Sequence, residues 1–226
     1  MTGATTPRRR GRPVRVTREE VVAATTRMLK QDGSAGFSMR RLADELGVST
    51  AAVYHHFPGK AQLFIAVLSE EAERVPRPDL PDSPRDRLIT LAMHVIEVLH
   101  ELPWVVDVLV AGESFGRAAM WILDEFVGAA MELGADIRHG TYMYSAMWRF
   151  VLGELMMRRV PDERAAAAAA GDPRPLWSDL VAPDEFAEFD RVGELLPELS
   201  RMREEFRART AVAEFVDGMV LGIPRG

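Results

Sequence analysis

Residues 38–58, SMRRLADELGVSTAAVYHHFP, hold two short helical patterns with about three residues between them, and this spacing constrains the fold most. Ser38 can cap a helix over Met39–Leu46, Gly47 can end it in the left-handed conformation, and Ser49 can cap a second helix from Thr50 to Phe57. Ala43 is small enough to let the second helix cross the first closely, and Val53 fills the angle between them. Leu42, Leu46, Val48 and Phe57 supply the rest of a small core. The pattern predicts a helix-turn-helix, whose second helix enters the major groove of DNA.

The charge distribution agrees with that reading. Residues 1–60 hold eleven Arg or Lys against five acids, a balance of +6, in a chain whose net charge is −6. A basic block on an acidic body is the footprint of a nucleic-acid-binding module joined to something else. Five of the arginines lie in PRRRGRPVR, residues 7–15. Within it, Arg10-Gly11-Arg12-Pro13 matches the core of an AT-hook, an extended segment that places arginines in a narrow minor groove.

Around this element the chain reads as all-α. Residues 1–16 lack apolar periodicity and are expected to form a flexible basic arm. Thr17-Arg18-Glu19-Glu20 is a capping box that opens the first helix. A helix-turn-helix domain is expected over 17–75, and the proline-rich stretch PRPDLPDSP (76–84) separates it from a helical body over 84–226. Helical patterns there cover about 84–101, 103–111, 115–133 and 137–159. Further ones cover 162–170 and, as one last helix, 199–221. No apolar run is long enough to span a membrane, no secretory signal follows the basic start, and the chain has no cysteine. Cytoplasm is the expected compartment.

The stretch GFSMRRLADELGVSTAAVYHHFPGKAQLF, and above all the run Tyr54 to Leu63, resembles the DNA-binding domain of the tetracycline-repressor (TetR) family of bacterial regulators. The likeness is strong over about 17–68 and weaker over YMYSAMWRFVLGELMM (142–157) and FVDGMVLGI (215–223). It implies a three-helix DNA-binding domain, a linking fourth helix, and an all-helical domain that binds a small-molecule effector and forms a homodimer. It also implies that Ser38, Tyr54, His56 and Lys60 hold phosphates of a double-stranded DNA operator. Arg40 and the outer face of the third helix, with Thr50, Ala51, Ala52 and His55, are then turned to base edges. Arg41 is expected to pair with Glu45, four residues on. His56 has a rival structural role under Phe57.

In the acidic body, the stripe Arg87, Thr90, His94, Glu97, Glu101 reads as a solvated helix face. The helix at 137–159 has no polar face, and the last helix carries two apolar stripes. A symmetric dimer through these two helices covers them. Twelve Met and four Trp provide adaptable apolar lining, and the candidates for an effector pocket are Trp104, Val108, Phe115, Trp121, Phe126, Tyr144 and Trp148. Where the tetracycline repressor holds magnesium with a histidine, Leu109 or Val110 stands, so no metal and no cofactor are expected. No nucleophile–base pair, carboxylate pair or phosphate loop is discernible, which argues against an enzyme. The leading expectation is a repressor released from its operator by a largely apolar ligand. An effector-independent architectural DNA-binding protein is the rival, and a cavity-free C-terminal body would favour it.

Overall fold

The computed structural model describes residues 16–110, 116–186 and 188–224, and every regular element among them is helical. In chain order they are α1 (Arg18–Asp32), α2 (Met39–Leu46), α3 (Thr50–His56), α4 (Lys60–Glu73), α5 (Pro84–His100), α6 (Pro103–Val110), α7 (Met120–Glu132), α8 (Ile137–Ala169), α9 (Val192–Glu205) and α10 (Ala208–Leu221). A 3-10 turn, Arg117–Ala119, leads into α7, and two more, Trp177–Asp179 and Pro183–Phe186, lie between α8 and α9. The chain divides into two compact units. Residues up to Pro76 together with Pro103–Met120 make the first, and Arg77–Leu102 with Trp121–Gly226 the second. The segment around α6 thus groups with α1–α4, although in sequence it follows the proline-rich joint.

In the first unit, α1 begins as its capping box requires. The Thr17 N–H donates to the Glu20 carboxylate at 2.7 Å, and the Glu20 N–H donates to the Thr17 hydroxyl at 3.2 Å. Val21, Ala24, Met28 and Leu29 recur at helical spacing and are buried, giving α1 the apolar face that packs on α2 and α4. Lys30, at its end, pairs with Glu71 of α4 at 3.4 Å and lies 5.7 Å from the centre of the Trp104 ring on α6. The turn before α7 grips α4 from its C-terminal side. The Arg117 N–H donates to the Ser69 hydroxyl at 2.8 Å, and a Cβ on Gly116 would stand only 3.2 Å from the Leu68 carbonyl oxygen.

In the second unit, Leu88, Leu91 and Ile96 of α5 are fully buried, and α5 packs on α8 and α10. Arg85 forms a two-bond fork to Asp217 of α10 at 2.5 and 2.8 Å. That contact holds the Asp217 carboxyl below its usual range and raises the guanidinium further above its own. Phe150 of α8 stacks on Phe215 of α10, with ring centres 5.0 Å apart. Gly140 brings α8 close to α7, because a Cβ there would meet Val127 at 3.2 Å.

Three readings of this body change. The α5 stripe is a solvated face only at its C-terminal end, where Glu97 and Glu101 are exposed. Arg87 is only 17% exposed and pairs with Glu132 of α7, His94 meets the Trp121 ring, and Glu97 accepts from Arg158 of α8 at 3.3 Å. Neighbouring helices supply the opposite charges that a single-helix pattern cannot show. The helix at 137–159 does not stop there, since α8 runs on to Ala169 across Pro161. The alanine run favours helix strongly enough to outweigh one missing backbone donor. The stretch 199–221 is not one helix, because Phe206 is extended (φ −57°, ψ 130°) and separates α9 from α10. Within one chain α8 is covered on one side only. Met143, Met147, Val151 and Leu155 form a buried stripe, whereas Tyr142 is 69% and Met156 67% exposed.

Candidate nucleic-acid interface

The α2–α3 pair is built as its spacing predicts. The Ser38 hydroxyl accepts from the Arg41 N–H at 3.1 Å and starts α2. Gly47 ends α2 at φ 66°, ψ 28°, which an L side chain adopts only with strain. The Val48 N–H then reaches the Ala43 carbonyl at 3.0 Å, and the Gly47 N–H reaches the Asp44 carbonyl at 3.2 Å, the paired closure of a Schellman turn. Ser49 caps α3 by accepting from the Ala52 N–H at 3.3 Å. Leu42, Ala43, Val53 and Phe57 are buried in the angle between the helices. Their packing fixes which face of α3 is left outward.

That outward face carries most of the residues singled out in the sequence. Ser38, Arg40, Ala51, Tyr54 and His55 are exposed, and Thr50, Ala52, His56 and Lys60 are half-buried. The Lys60 ammonium lies 5.1 Å from the centre of the Phe64 ring, which orients it at the start of α4. His56 has a structural partner as well. Its Nε2 lies 2.9 Å from the Val16 carbonyl, and because a carbonyl only accepts, Nε2 is the donor. This bond ties the residue just before α1 to the end of α3. Arg10 and Arg12 lie outside the described residues.

Arg41 does not pair with Glu45. Its guanidinium turns back to Asp32 and donates to the Gly36 carbonyl at 3.0 Å, while Glu45 is taken by Arg27 of α1 at 3.2 Å. Helical side chains lean towards the N-terminus, so Arg41 reaches the loop before α2 more readily than the turn after it. The sequence also gave no sign that Arg18 would cover the Phe57 ring, with 4.8 Å between guanidinium carbon and ring centre.

The effector candidates divide between the units. Trp104 and Val108 are buried in the first, and the Trp104 indole N–H finds no acceptor among the described residues. Trp121, Phe126, Tyr144 and Trp148 are in the second, where Phe126 is fully buried and meets Tyr144 edge to face at 5.6 Å. Phe115 lies outside the described residues. No group of three or more His, Asp or Glu among the described residues is arranged to hold a metal.

Comparison with known proteins matches the interface itself. The family described as bacterial regulatory proteins, tetR family, matches residues 21–67, from α1 through α4. The transcriptional repressor DrrR1 of Streptomyces coeruleorubidus is 33% identical over 117 residues, covering 49% of this chain. The chain carries the tetR-family pattern over residues 21–67. It spans less than half the length of that repressor, 42%. Among solved structures, BioQ bound to its natural double-stranded DNA operator is 26% identical with a TM-score of 0.51, over 62% of this chain and 86% of BioQ. The fold is also that of ActR from Streptomyces coelicolor in complex with (S)-DNPA. That likeness has a TM-score of 0.62 at 16% identity, over 92% of this chain and 99% of ActR.

Proposed function

We propose that this protein is a DNA-binding transcriptional regulator of the tetR family, a repressor that leaves its operator when a small, largely apolar molecule binds its second unit. The carrying observation is the capped α2–α3 pair, whose buried side turns Arg40, Ala51, Tyr54 and His55 outward. In this reading Ser38, Tyr54 and Lys60 hold phosphates, and Arg40, Thr50, Ala51 and His55 meet base edges. His56 acts chiefly through Val16, delivering the basic arm next to the recognition helix. Arg10 and Arg12 of that arm enter the adjoining minor groove.

Two reading heads are needed for a symmetric operator, and the uncovered faces of α8 and α10 provide the means. Tyr142, Met156 and Leu221 are exposed in one chain, and Gly153 and Gly218 leave open space beside them. We assign these faces to a homodimer. The chain passes between the two units three times, at 76/77, 102/103 and 120/121. Helices α5 and α7, which carry His94 and Trp121, are therefore directly continuous with the segment that grips Leu68 and Ser69 of α4. Ligand binding between α5 and α7 acts on the DNA-binding unit through that segment. Among the described residues no single helix is long and apolar enough to cross a membrane, and we place the protein in the cytoplasm, as a regulator and not an enzyme.

The reading is tested by selecting tight-binding duplexes from a random DNA pool and screening small molecules for release of the selected duplex by fluorescence anisotropy. A palindromic consensus and at least one releasing compound are expected. Binding with no sequence preference would overturn it in favour of an architectural DNA protein.

A further inference from the structure

Helices α5, α7 and α8 keep a common register inside the second unit. α5 and α7 are antiparallel, since Arg87 meets Glu132 at one level and His94 meets Trp121 at another. α7 and α8 are antiparallel too, because Phe126 meets Tyr144 while Val127 abuts Gly140. Trp148 lies one turn beyond Tyr144 on the same side of α8, which brings it to the level of Trp121 and His94. His94, Tyr144 and Trp148 stand mid-helix and Trp121 at the start of α7, and all four are only half-buried.

Two polar groups at this place have no protein partner among the described residues. Neither the His94 imidazole nor the Tyr144 hydroxyl makes a hydrogen bond to any described residue. Each offers one donor and one acceptor, which a ligand of matching chemistry can satisfy. Burial pushes the His94 pKa down and the Tyr144 pKa up, so both are neutral near pH 7. The charges above and below are already paired, Arg87 with Glu132 and Glu97 with Arg158. Arg77 covers the Trp121 ring at 4.8 Å, making a carboxylate ligand the rival to be excluded.

Building on the effector reading above, we infer that His94 and Tyr144 are the specificity-determining residues of the effector site. They select an uncharged, flat aromatic molecule with a hydroxyl and a carbonyl at opposite ends, its rings lying among Trp121, Phe126 and Trp148. The two polar levels are one helical turn apart, about 6 Å along the bundle, which is the scale of a fused two-ring system.

Calorimetric titration of the full chain at pH 7 with three probes tests this. The probes are 6-hydroxy-2-acetonaphthone, 2-acetonaphthone, which lacks the hydroxyl, and 2-naphthoate, which is charged. The hydroxyketone should bind about tenfold more tightly than either analogue, the value of one well-placed hydrogen bond. His94→Leu should abolish that hydroxyl preference, and His94→Gln, which keeps a donor and an acceptor, should restore part of it. Tyr144→Phe should weaken both ketones alike and leave their ratio unchanged, with folding of each variant verified by thermal melting. Failure of the hydroxyketone to bind, equal or tighter binding of 2-naphthoate, or an intact preference in His94→Leu overturns the inference. The operator assay separates the two readings. Release of DNA by a non-aromatic compound such as dodecanoate, with no naphthalene binding, defeats the inference alone. Tight, His94-dependent binding of the hydroxyketone without release defeats the effector reading alone.

Discussion

Replacing glycine by alanine at two positions should change stability in opposite directions. At Gly116 the added Cβ stands 3.2 Å from the Leu68 carbonyl oxygen and 3.4 Å from its carbon. Both atoms belong to the backbone of α4 and cannot swing away as a side-chain tip does. Overpacking of this kind costs about 1–3 kcal/mol. Against it, the lost freedom of the unfolded chain favours alanine by about 0.4–1 kcal/mol, since Gly116 has φ −86°, which alanine accepts. The net for Gly116→Ala is a loss of about 1 kcal/mol. At Gly128, in the middle of α7, nothing lies within 4 Å of the new Cβ. Gly128→Ala should therefore gain about 0.5–1 kcal/mol from helix propensity alone. Urea unfolding followed by circular dichroism, or a melt in which 1 kcal/mol moves the midpoint by roughly 2–4 °C, reads both. Equal or greater stability of Gly116→Ala than wild type would refute the close approach of residue 116 to α4. Loss of stability in Gly128→Ala would refute the open space beside α7.

Other consequences follow from the same geometry. Val151 and Val216 are fully buried, so arginine at either should unfold the chain. Met156→Arg, on an exposed face, should instead leave a folded monomer by sedimentation; a Met156→Arg dimer as tight as wild type would remove α8 from the interface. His94 titrates below its ordinary 6.5 because burial disfavours the imidazolium, so between its folded pKa and 6.5 the unfolded chain binds more protons. Stability should be full above pH 6.5, fall as pH drops through 6.5 towards the folded pKa, and fall less in His94→Leu; identical pH dependence of the two would contradict this. Deleting residues 1–15 should cost about 1–3 kcal/mol on operators with A·T-rich flanks and less on G·C-rich ones, where the guanine amino group blocks the groove. Equal losses on both, at one salt concentration, would reduce the arm to a diffuse positive charge.

What the sequence made legible was local. Thr17, Ser38, Gly47 and Ser49 specify caps and a turn within a few residues, and each makes the hydrogen bond its type suggests. The core of α2–α3 was readable for the same reason, as Ala43 and Val53 contact neighbours less than one helix away in sequence. What escaped was long-range. Arg41 chooses Asp32 over Glu45, and Arg87 finds Glu132, because partners on other helices are closer than those on the same one. The α9–α10 break at Phe206 lacks a glycine or proline at that point to announce it. The grouping of α6 and the turn after it with the first unit shows in Trp104 meeting Lys30, 74 positions earlier in the chain, and in Arg117 meeting Ser69.

The account rests on the outward face of α3 meeting DNA, and operator affinity against salt concentration tests it most directly. The comparison is between wild type and Tyr54→Ala, a residue 46% exposed whose removal leaves the buried side of α3 intact. The variant should melt as wild type does, bind the selected duplex more weakly at every salt concentration, and lose about 0.9 from the log–log salt slope for the phosphate contact removed. A folded Tyr54→Ala protein with unchanged affinity and unchanged slope would contradict the account.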